Sequence, residues 1–137
     1  MWLIVQIANP GSCVRFKFGD GTEDLANRTL KYVFWAFAPC IAAYQECRPV
    51  LSVDGTHLRG PYKGKLLVAV CKTSNNNIMP VAFALVDEES TESWTWFMNN
   101  LRKSVMKDRL TCVVSDRHAG TKKILHTLIL VRRCICY

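Results

Sequence analysis

Short apolar runs rich in β-branched residues alternate with turn signals through the middle of the chain. Runs of this kind, bounded by Gly, Pro, Asn or Ser, predict buried strands. The predicted strands cover residues 50–54, 65–72, 78–86 and 111–115, with an Asn-Asn-Asn turn at 75–77. Between the third and fourth strands, apolar residues recur at helical spacing over 92–106, which predicts a helix with one buried face. That face is formed by Trp94, Phe97, Met98, Leu101 and Val105.

The first 49 residues are predicted to be a β/α extension that leads into these strands. Residues 1–8 indicate a helix, 9–12 a turn, and 14–18 an exposed strand with alternating apolar and basic side chains. The aromatic-rich segment 30–44 predicts a helix interrupted at Pro39, because proline breaks the helical hydrogen-bond pattern.

After residue 49 the elements follow the order β-β-β-α-β-α, with the last helix predicted at about 118–130. Strands joined by short turns favour an antiparallel meander, and the helix then places the fourth strand parallel to the first. Asp54 and Asp116 end these two strands. We therefore expect their carboxylates to share one site, an arrangement suited to two-metal phosphoryl transfer.

The amino-acid composition indicates the chemical class of a binding partner. The chain has 137 residues, a net charge of +7 and a pI near 9.2. Half of the residues are hydrophobic, which excludes a disordered chain and suits one domain. The positive charge favours an acidic partner such as nucleic acid, with a merely basic protein as the alternative.

The cysteines and the chain ends indicate the compartment. Seven cysteines are an odd number, and most lie in apolar runs, so we expect free thiols in a reducing compartment rather than a disulfide framework. Cys134 and Cys136 with His126 are an alternative half of a metal site, but no second pair stands at zinc-ligand spacing. We identify no signal peptide or transmembrane segment, and we expect neither a membrane partner nor a small-molecule substrate.

Six short blocks, in a fixed order, resemble the catalytic domain of plant Mutator-like element (MULE) transposases. The blocks are Asn9-Pro-Gly-Ser12, Cys47-Arg-Pro-Val-Leu-Ser-Val-Asp-Gly-Thr-His-Leu58, Tyr62-Lys-Gly-Lys-Leu-Leu67, Asn75-Asn-Asn-Ile-Met-Pro-Val-Ala-Phe-Ala84, Glu92-Ser-Trp-Thr-Trp-Phe97 and Ser115-Asp-Arg-His118. The resemblance implies an α/β fold with a ribonuclease H-like core at 50–124, C-terminally truncated, and a divergent tail at 125–137. It also implies a nuclear DDE transposase that cleaves and joins DNA, and that forms homo-oligomers in the intact family.

The resemblance assigns Asp54 and Asp116 to the first two positions of the DDE triad, as ligands of two Mg²⁺ or Mn²⁺ ions. The third family acid is a glutamate further downstream, and no Asp or Glu follows Asp116 in this sequence. We therefore expect a transposase fragment that is inactive as this chain. Glu92 is an alternative third ligand, as in a two-metal ribonuclease H-type nuclease, although an acid in the first turn of a helix also serves the helix dipole.

Basic side chains and histidines near the two aspartates are candidates for contact with DNA phosphates. These candidates are His57, Arg59, Lys63, Lys65, Arg117 and His118. Two simpler interpretations stay open. The aspartates can be turn and helix-cap residues. The chain can also be a domesticated DNA-binding or regulatory protein that keeps the fold without the chemistry.

Overall fold

The computed structural model describes residues 2–19, 29–61, 63–115 and 131–133. The elements are α1 (Trp2–Ala8), β1 (Cys13–Phe18), β2 (Leu30–Ala36), α2 (Ala38–Glu46), β3 (Val50–His57), β4 (Lys65–Lys72), β5 (Ile78–Val86), α3 (Thr91–Leu101), a π-helix (Arg102–Met106), β6 (Thr111–Ser115) and β7 (Val131–Arg133). The helix predicted at 118–130 lies outside the described residues.

All seven strands belong to one sheet, in the order β1-β2-β5-β4-β3-β6-β7. Strands β3, β4 and β5 form the predicted antiparallel meander. β6 lies parallel to β3, as the predicted crossover requires. The extension joins the same sheet, because β2 pairs antiparallel with β5 and β1 pairs with β2. The fold is therefore a mixed α/β fold built on a single sheet.

Strands β4, β5 and β6 have the predicted bounds, whereas β3 runs past Asp54 to His57. Its last residues pair with β4, and His57 lies opposite Lys65. Asp54-Gly55 is therefore part of a strand and not a turn. Asp and Gly are typical turn residues, but here the pairing with β4 keeps the backbone extended beyond the apolar run.

The predicted helix over 30–44 is wrong. Residues 30–36 form strand β2, and α2 begins at Ala38, so Pro39 stands in its first turn. Proline is tolerated there because the first helical N–H groups have no partner within the helix. In β2, Tyr32, Phe34 and Ala36 are buried at every second position, which is the period of a strand.

Helix α3 packs on one face of the sheet with all five predicted apolar residues buried. The predicted helix over 92–106 divides into α3 and the π-helix that follows it. Among the residues that the structure describes, no helix is long and apolar enough to cross a membrane.

Cys13, Cys40, Cys47 and Cys71, within the described ranges, are free thiols. Cys71 is buried, and this burial raises the pKa of its thiol to about 11. Such a thiol stays neutral and behaves as a small hydrophobic side chain, as the sequence predicts. Cys134, Cys136 and His126 lie outside the described residues.

Candidate metal and nucleic-acid site

Asp54 projects from the face of the sheet opposite to α3. Leu51 and Val53, on alternate positions of β3, are buried beneath the helices, whereas Asp54 is exposed. Its Oδ1 atom accepts a hydrogen bond from the Gly55 N–H at 2.8 Å. The alternation of strand side chains thus leaves this carboxylate accessible to a metal ion or to DNA.

The parallel pairing of β3 with β6 ends at Val53 and Ser115. The next residue along β3 is Asp54, and the next residue in the sequence after Ser115 is Asp116. Asp116, Arg117 and His118 lie outside the described residues, so their place in the site stays a prediction. The structure describes β3 and β6, the two strands that lead to the predicted site.

Basic side chains follow Asp54 along the chain. His57, the last residue of β3, and Arg59 and Lys63, in the loop after it, are all exposed. The loop is closed by a hydrogen bond from the Leu58 N–H to the Gly64 carbonyl at 3.0 Å. A side chain at Gly64 would place its Cβ 2.9 Å from the carbonyl oxygen at the end of β5, so only glycine fits this close approach.

Lys65 is engaged in an ion pair inside the protein. Its Nζ atom lies 2.7 Å from Oε2 of Glu89, and the two side chains are only 20% and 10% exposed. The Trp94 Nε1–H donates to the other oxygen, Oε1, at 3.1 Å. A Cβ at Gly55 would lie 3.2 Å from both Cδ and Oε1 of Glu89. A mostly buried carboxylate therefore rests against the residue that follows Asp54.

The sequence pattern indicates Glu92 as an alternative third ligand and does not indicate Glu89. Glu89 belongs to a run of acids that reads as solvated surface, and no helical or strand spacing links it to Gly55. Its Trp94 partner is five residues away, and the contact depends on how α3 meets the sheet. Only the low exposure of the glutamate in three dimensions identifies it.

Glu92 lies away from Asp54. Its carboxylate is 2.7 Å from the Lys17 Nζ on β1 and 3.3 Å from the Lys31 Nζ on β2. Their hydrogen bonds lower the pKa of Glu92, with Lys17 contributing most. β2 and β1 are three and four strands from β3 in the sheet, a separation of roughly 14–19 Å at the usual strand spacing. Glu92 therefore does not complete a metal site with Asp54 in this structure.

The donor chemistry of Asp54 suits a hard cation, since Mg²⁺ and Mn²⁺ prefer oxygen ligands. Within the ranges given above, no group of three or more His, Cys, Asp or Glu side chains is arranged to hold a metal ion. Asp54 is therefore the one carboxylate of the predicted pair that lies within the described residues, and Asp116 stays a prediction as the second.

A second basic cluster lies at the other end of α3. Arg102, Lys103 and Lys107 line a surface cavity of about 610 Å³ together with Asn99 and Asp108. Cations here interact favourably with the helix dipole. Their grouping also provides a surface for phosphates.

Comparison with known proteins gives a family and similar solved structures. The sequence model described as the MULE transposase domain matches residues 50–137, across both the predicted core and the segment 125–137. No curated protein sequence matches the chain.

One structural neighbour is a chain from the cryo-electron microscopy structure of the simian T-cell lymphotropic virus intasome in complex with PP2A regulatory subunit B56 gamma. It has a TM-score of 0.42 and 12% sequence identity, over 68% of the present chain and 38% of that chain. The present chain thus spans under two fifths of the length of this neighbour. The family model matches more than half of the 137 residues of the present chain, and the chain therefore belongs to the MULE transposase domain family.

Proposed function

We propose that this chain is part of a transposase of the DDE type and that its ribonuclease H-like sheet presents Asp54 and Asp116 to DNA. One observation carries the proposal. The parallel pairing of β3 with β6 ends at Val53 and Ser115, and in the sequence an aspartate follows each of these two residues. If the register of β6 continues for one residue, the two carboxylates stand on neighbouring strands and on the same face.

Asp54 and Asp116 would hold Mg²⁺ or Mn²⁺ in this proposal, and the bound ions would supply the charge stabilisation that phosphodiester cleavage and joining require. The protein's own contribution is to keep the Asp54 carboxylate fixed and exposed. The Gly55 N–H fixes one of its oxygens, and the buried side of β3 holds the strand in place.

DNA is the proposed partner. His57, Arg59 and Lys63 are exposed in the segment that follows Asp54 and would bind phosphates, with Arg117 and His118 as further proposed contacts. Such contacts hold the DNA backbone without reading its sequence. A nuclear location and a homo-oligomer are further proposals that rest on the family membership.

We expect the 137 residues on their own to bind DNA without cutting it. Two Mg²⁺ ions normally need at least three carboxylates to offset their charge. Among the described acids, Glu92 pairs with Lys17 and Lys31, and both oxygens of Glu89 are already bonded. No group of three or more His, Cys, Asp or Glu side chains in the described part of the chain is arranged to hold a metal ion.

Asp54→Asn tests the proposal, with Asp87→Asn as the matched control at an exposed acid outside the site. DNA binding is followed by fluorescence anisotropy of a labelled duplex, with and without Mg²⁺. We expect Mg²⁺ to strengthen DNA binding by the wild type and by Asp87→Asn. Asp54→Asn should lose this dependence and bind as well as or better than wild type without metal, because one repulsive charge is gone.

Two outcomes would contradict parts of the proposal. If Asp54→Asn and Asp87→Asn respond identically to Mg²⁺, Asp54 is not a metal ligand. If the wild type nicks plasmid DNA and Asp54→Asn does not, the metal site is real but the expected inactivity is wrong.

A domesticated DNA-binding protein is the second candidate, and the basic cluster of Arg102, Lys103 and Lys107 favours it. In that case Asp54→Asn leaves the response to Mg²⁺ unchanged. Lys103→Gln and Lys107→Gln together would then weaken DNA binding and reduce its dependence on salt concentration.

A further inference from the structure

We propose that Glu89 is the positioning residue of the Asp54 site. The proposal rests on the function proposed above and adds a residue that neither the sequence motifs nor the family match assigns. Glu89 lies in the connection between β5 and α3, and its carboxylate reaches the strand that carries Asp54. Its role is to hold the end of β3 in place.

Three elements meet at this carboxylate. Lys65, the first residue of β4, binds Oε2 at 2.7 Å. Trp94 of α3 donates its indole N–H to Oε1 at 3.1 Å. Trp94 is 1% exposed, so the indole N–H needs a partner inside the protein. The carboxylate thus ties α3 and β4 together beside β3.

Glu89 contacts β3 at the residue next to Asp54. A Cβ at Gly55 would be 3.2 Å from Cδ and Oε1 of Glu89, so the carboxylate occupies the space that a side chain would fill. The Gly55 N–H in turn donates to Oδ1 of Asp54 at 2.8 Å. A continuous series of contacts therefore joins Lys65 and Trp94, through Glu89 and Gly55, to the Asp54 carboxylate.

The geometry around Glu89 also indicates that this side chain positions Asp54 and does not itself bind the metal ion. Both oxygens of Glu89 are already hydrogen-bonded, and the side chain is 10% exposed. It lies on the side of β3 that faces Trp94, whereas Asp54 projects from the other face. Glu89 therefore acts on Asp54 through the backbone of Gly55. Groups that orient a metal ligand in this way typically change metal affinity by about 10–100-fold when they are replaced.

Glu89→Gln is the test variant, because the amide keeps the size and one acceptor but loses the charge that binds Lys65. Glu88→Gln, one residue earlier and exposed, removes the same charge outside the contact. Mn²⁺ binding to the full chain is measured by electron paramagnetic resonance. We expect the dissociation constant of Glu89→Gln to rise about tenfold or more, and that of Glu88→Gln to stay within about twofold of wild type.

Thermal unfolding without metal shows that each variant is folded at the temperature of the Mn²⁺ titration. If Glu89→Gln does not fold, Trp94→Phe is used instead, since it keeps an aromatic ring and removes only the N–H bond to Glu89. A folded Trp94→Phe should also bind Mn²⁺ more weakly. Wild-type affinity in a folded Glu89→Gln or Trp94→Phe overturns the positioning role.

Asp54→Asn in the same titration keeps the two claims apart. Loss of Mn²⁺ binding in Asp54→Asn with unchanged binding in Glu89→Gln refutes only the role of Glu89. Unchanged Mn²⁺ binding in Asp54→Asn refutes the metal site itself, and the role of Glu89 with it.

Discussion

The hydroxyl groups of Tyr44 and Thr111 lie 2.7 Å apart in the core, and both residues are 0% exposed. The Thr111 hydroxyl donates its single proton to the Arg109 carbonyl at 3.1 Å, so the Tyr44 hydroxyl donates to Thr111. Burial raises the pKa of Tyr44, which keeps the phenol neutral as a donor. This small polar network connects α2 to the start of β6, the strand that leads to Asp116.

Thr111→Val should therefore destabilise the fold by about 1–3 kcal/mol, because the buried Tyr44 hydroxyl loses its acceptor. Combining it with Tyr44→Phe should cost less than the sum of the two single changes, since no donor is then left unpaired. Urea unfolding followed by circular dichroism measures the free energies. Thr56→Val, at an exposed position of β3, is the control and should be nearly neutral.

Glu92 gives the fold a contribution that depends on pH. Lys17 and Lys31 lower its pKa in the folded state, so the contribution is present above the ordinary carboxyl pKa and is lost as pH falls through the lowered folded value. The melting temperature of the wild type should therefore fall more steeply on acidification than that of Glu92→Gln.

The difference between wild type and Glu92→Gln should shrink at high salt, because the ion pairs are at the surface. Glu88→Gln, in the exposed part of the preceding loop, should follow the wild-type curve. Parallel curves for wild type and Glu92→Gln at low salt would show that the two lysines do not stabilise the folded state through this carboxylate.

Single residues also show how far the sequence can be interpreted. The sequence marks Asp54 as a candidate, because an acid directly after a buried apolar run stands at a recognisable place, and its role stays a prediction. Glu89 could not, because its importance comes from contacts with Lys65 and Trp94 that have no fixed sequence spacing. Glu92 has the more obvious position on a helix, but the width of the sheet separates it from β3.

Helix α3 begins with a reciprocal pair of serine hydrogen bonds. The Ser90 side chain accepts from the Ser93 N–H at 3.2 Å, and the Ser93 hydroxyl accepts from the Ser90 N–H at 2.9 Å. These bonds satisfy donors that the first turn of a helix leaves without partners. Because Glu89 directly precedes Ser90, the start of α3 also sets the direction in which Glu89 approaches β3.

Ser90→Ala should destabilise the protein by about 1 kcal/mol, and Ser90→Gly by only a few tenths. Thr95→Ala is the control, since Thr95 is exposed within the same helix and alanine favours a helix there. Chemical denaturation of the three variants measures the differences. Equal stability of Ser90→Ala and Thr95→Ala would show that the serine pair does not hold the start of the helix.

The elements differ in how well their sequence patterns predict them. β4 and β5 have the predicted bounds, because β-branched and apolar runs between clear turns leave few alternatives. The pattern of residues 30–44 predicts the wrong element, because aromatic residues are common in both helices and strands and a proline can either interrupt a helix or stand at its start. Pairing of β2 with β5 decides the outcome, and that contact joins segments far apart in the sequence.

In the whole molecule, the two faces of the sheet differ. Helices α2 and α3 cover one face, where the main hydrophobic core lies. The other face carries Trp35 stacked on Phe83, with ring centroids 5.4 Å apart, and an apolar groove of about 380 Å³ whose lining includes Val50 and Ser52. Asp54 projects on this second face, as alternation along β3 from Ser52 requires.

The topology of the whole sheet carries the central claim. The sequence predicts β6 parallel to β3, and the structure confirms it. The sequence order alone does not fix whether Asp54 and Asp116 act on one ion, since metal–ligand distances must be correct to within a few tenths of an ångström. Whether the two carboxylates share one ion is therefore decided by how β3 and β6 pack together in the folded protein, and not by either strand alone.

The most direct measurement is a Mn²⁺ titration by electron paramagnetic resonance of the wild type, Asp54→Asn, Asp116→Asn and the double variant. If both carboxylates hold one ion, each single change removes most of the binding, and the double variant binds no more weakly than either single variant. Asp87→Asn should bind as the wild type does. Undiminished Mn²⁺ binding by Asp116→Asn, or losses that simply add in the double variant, would contradict a shared site.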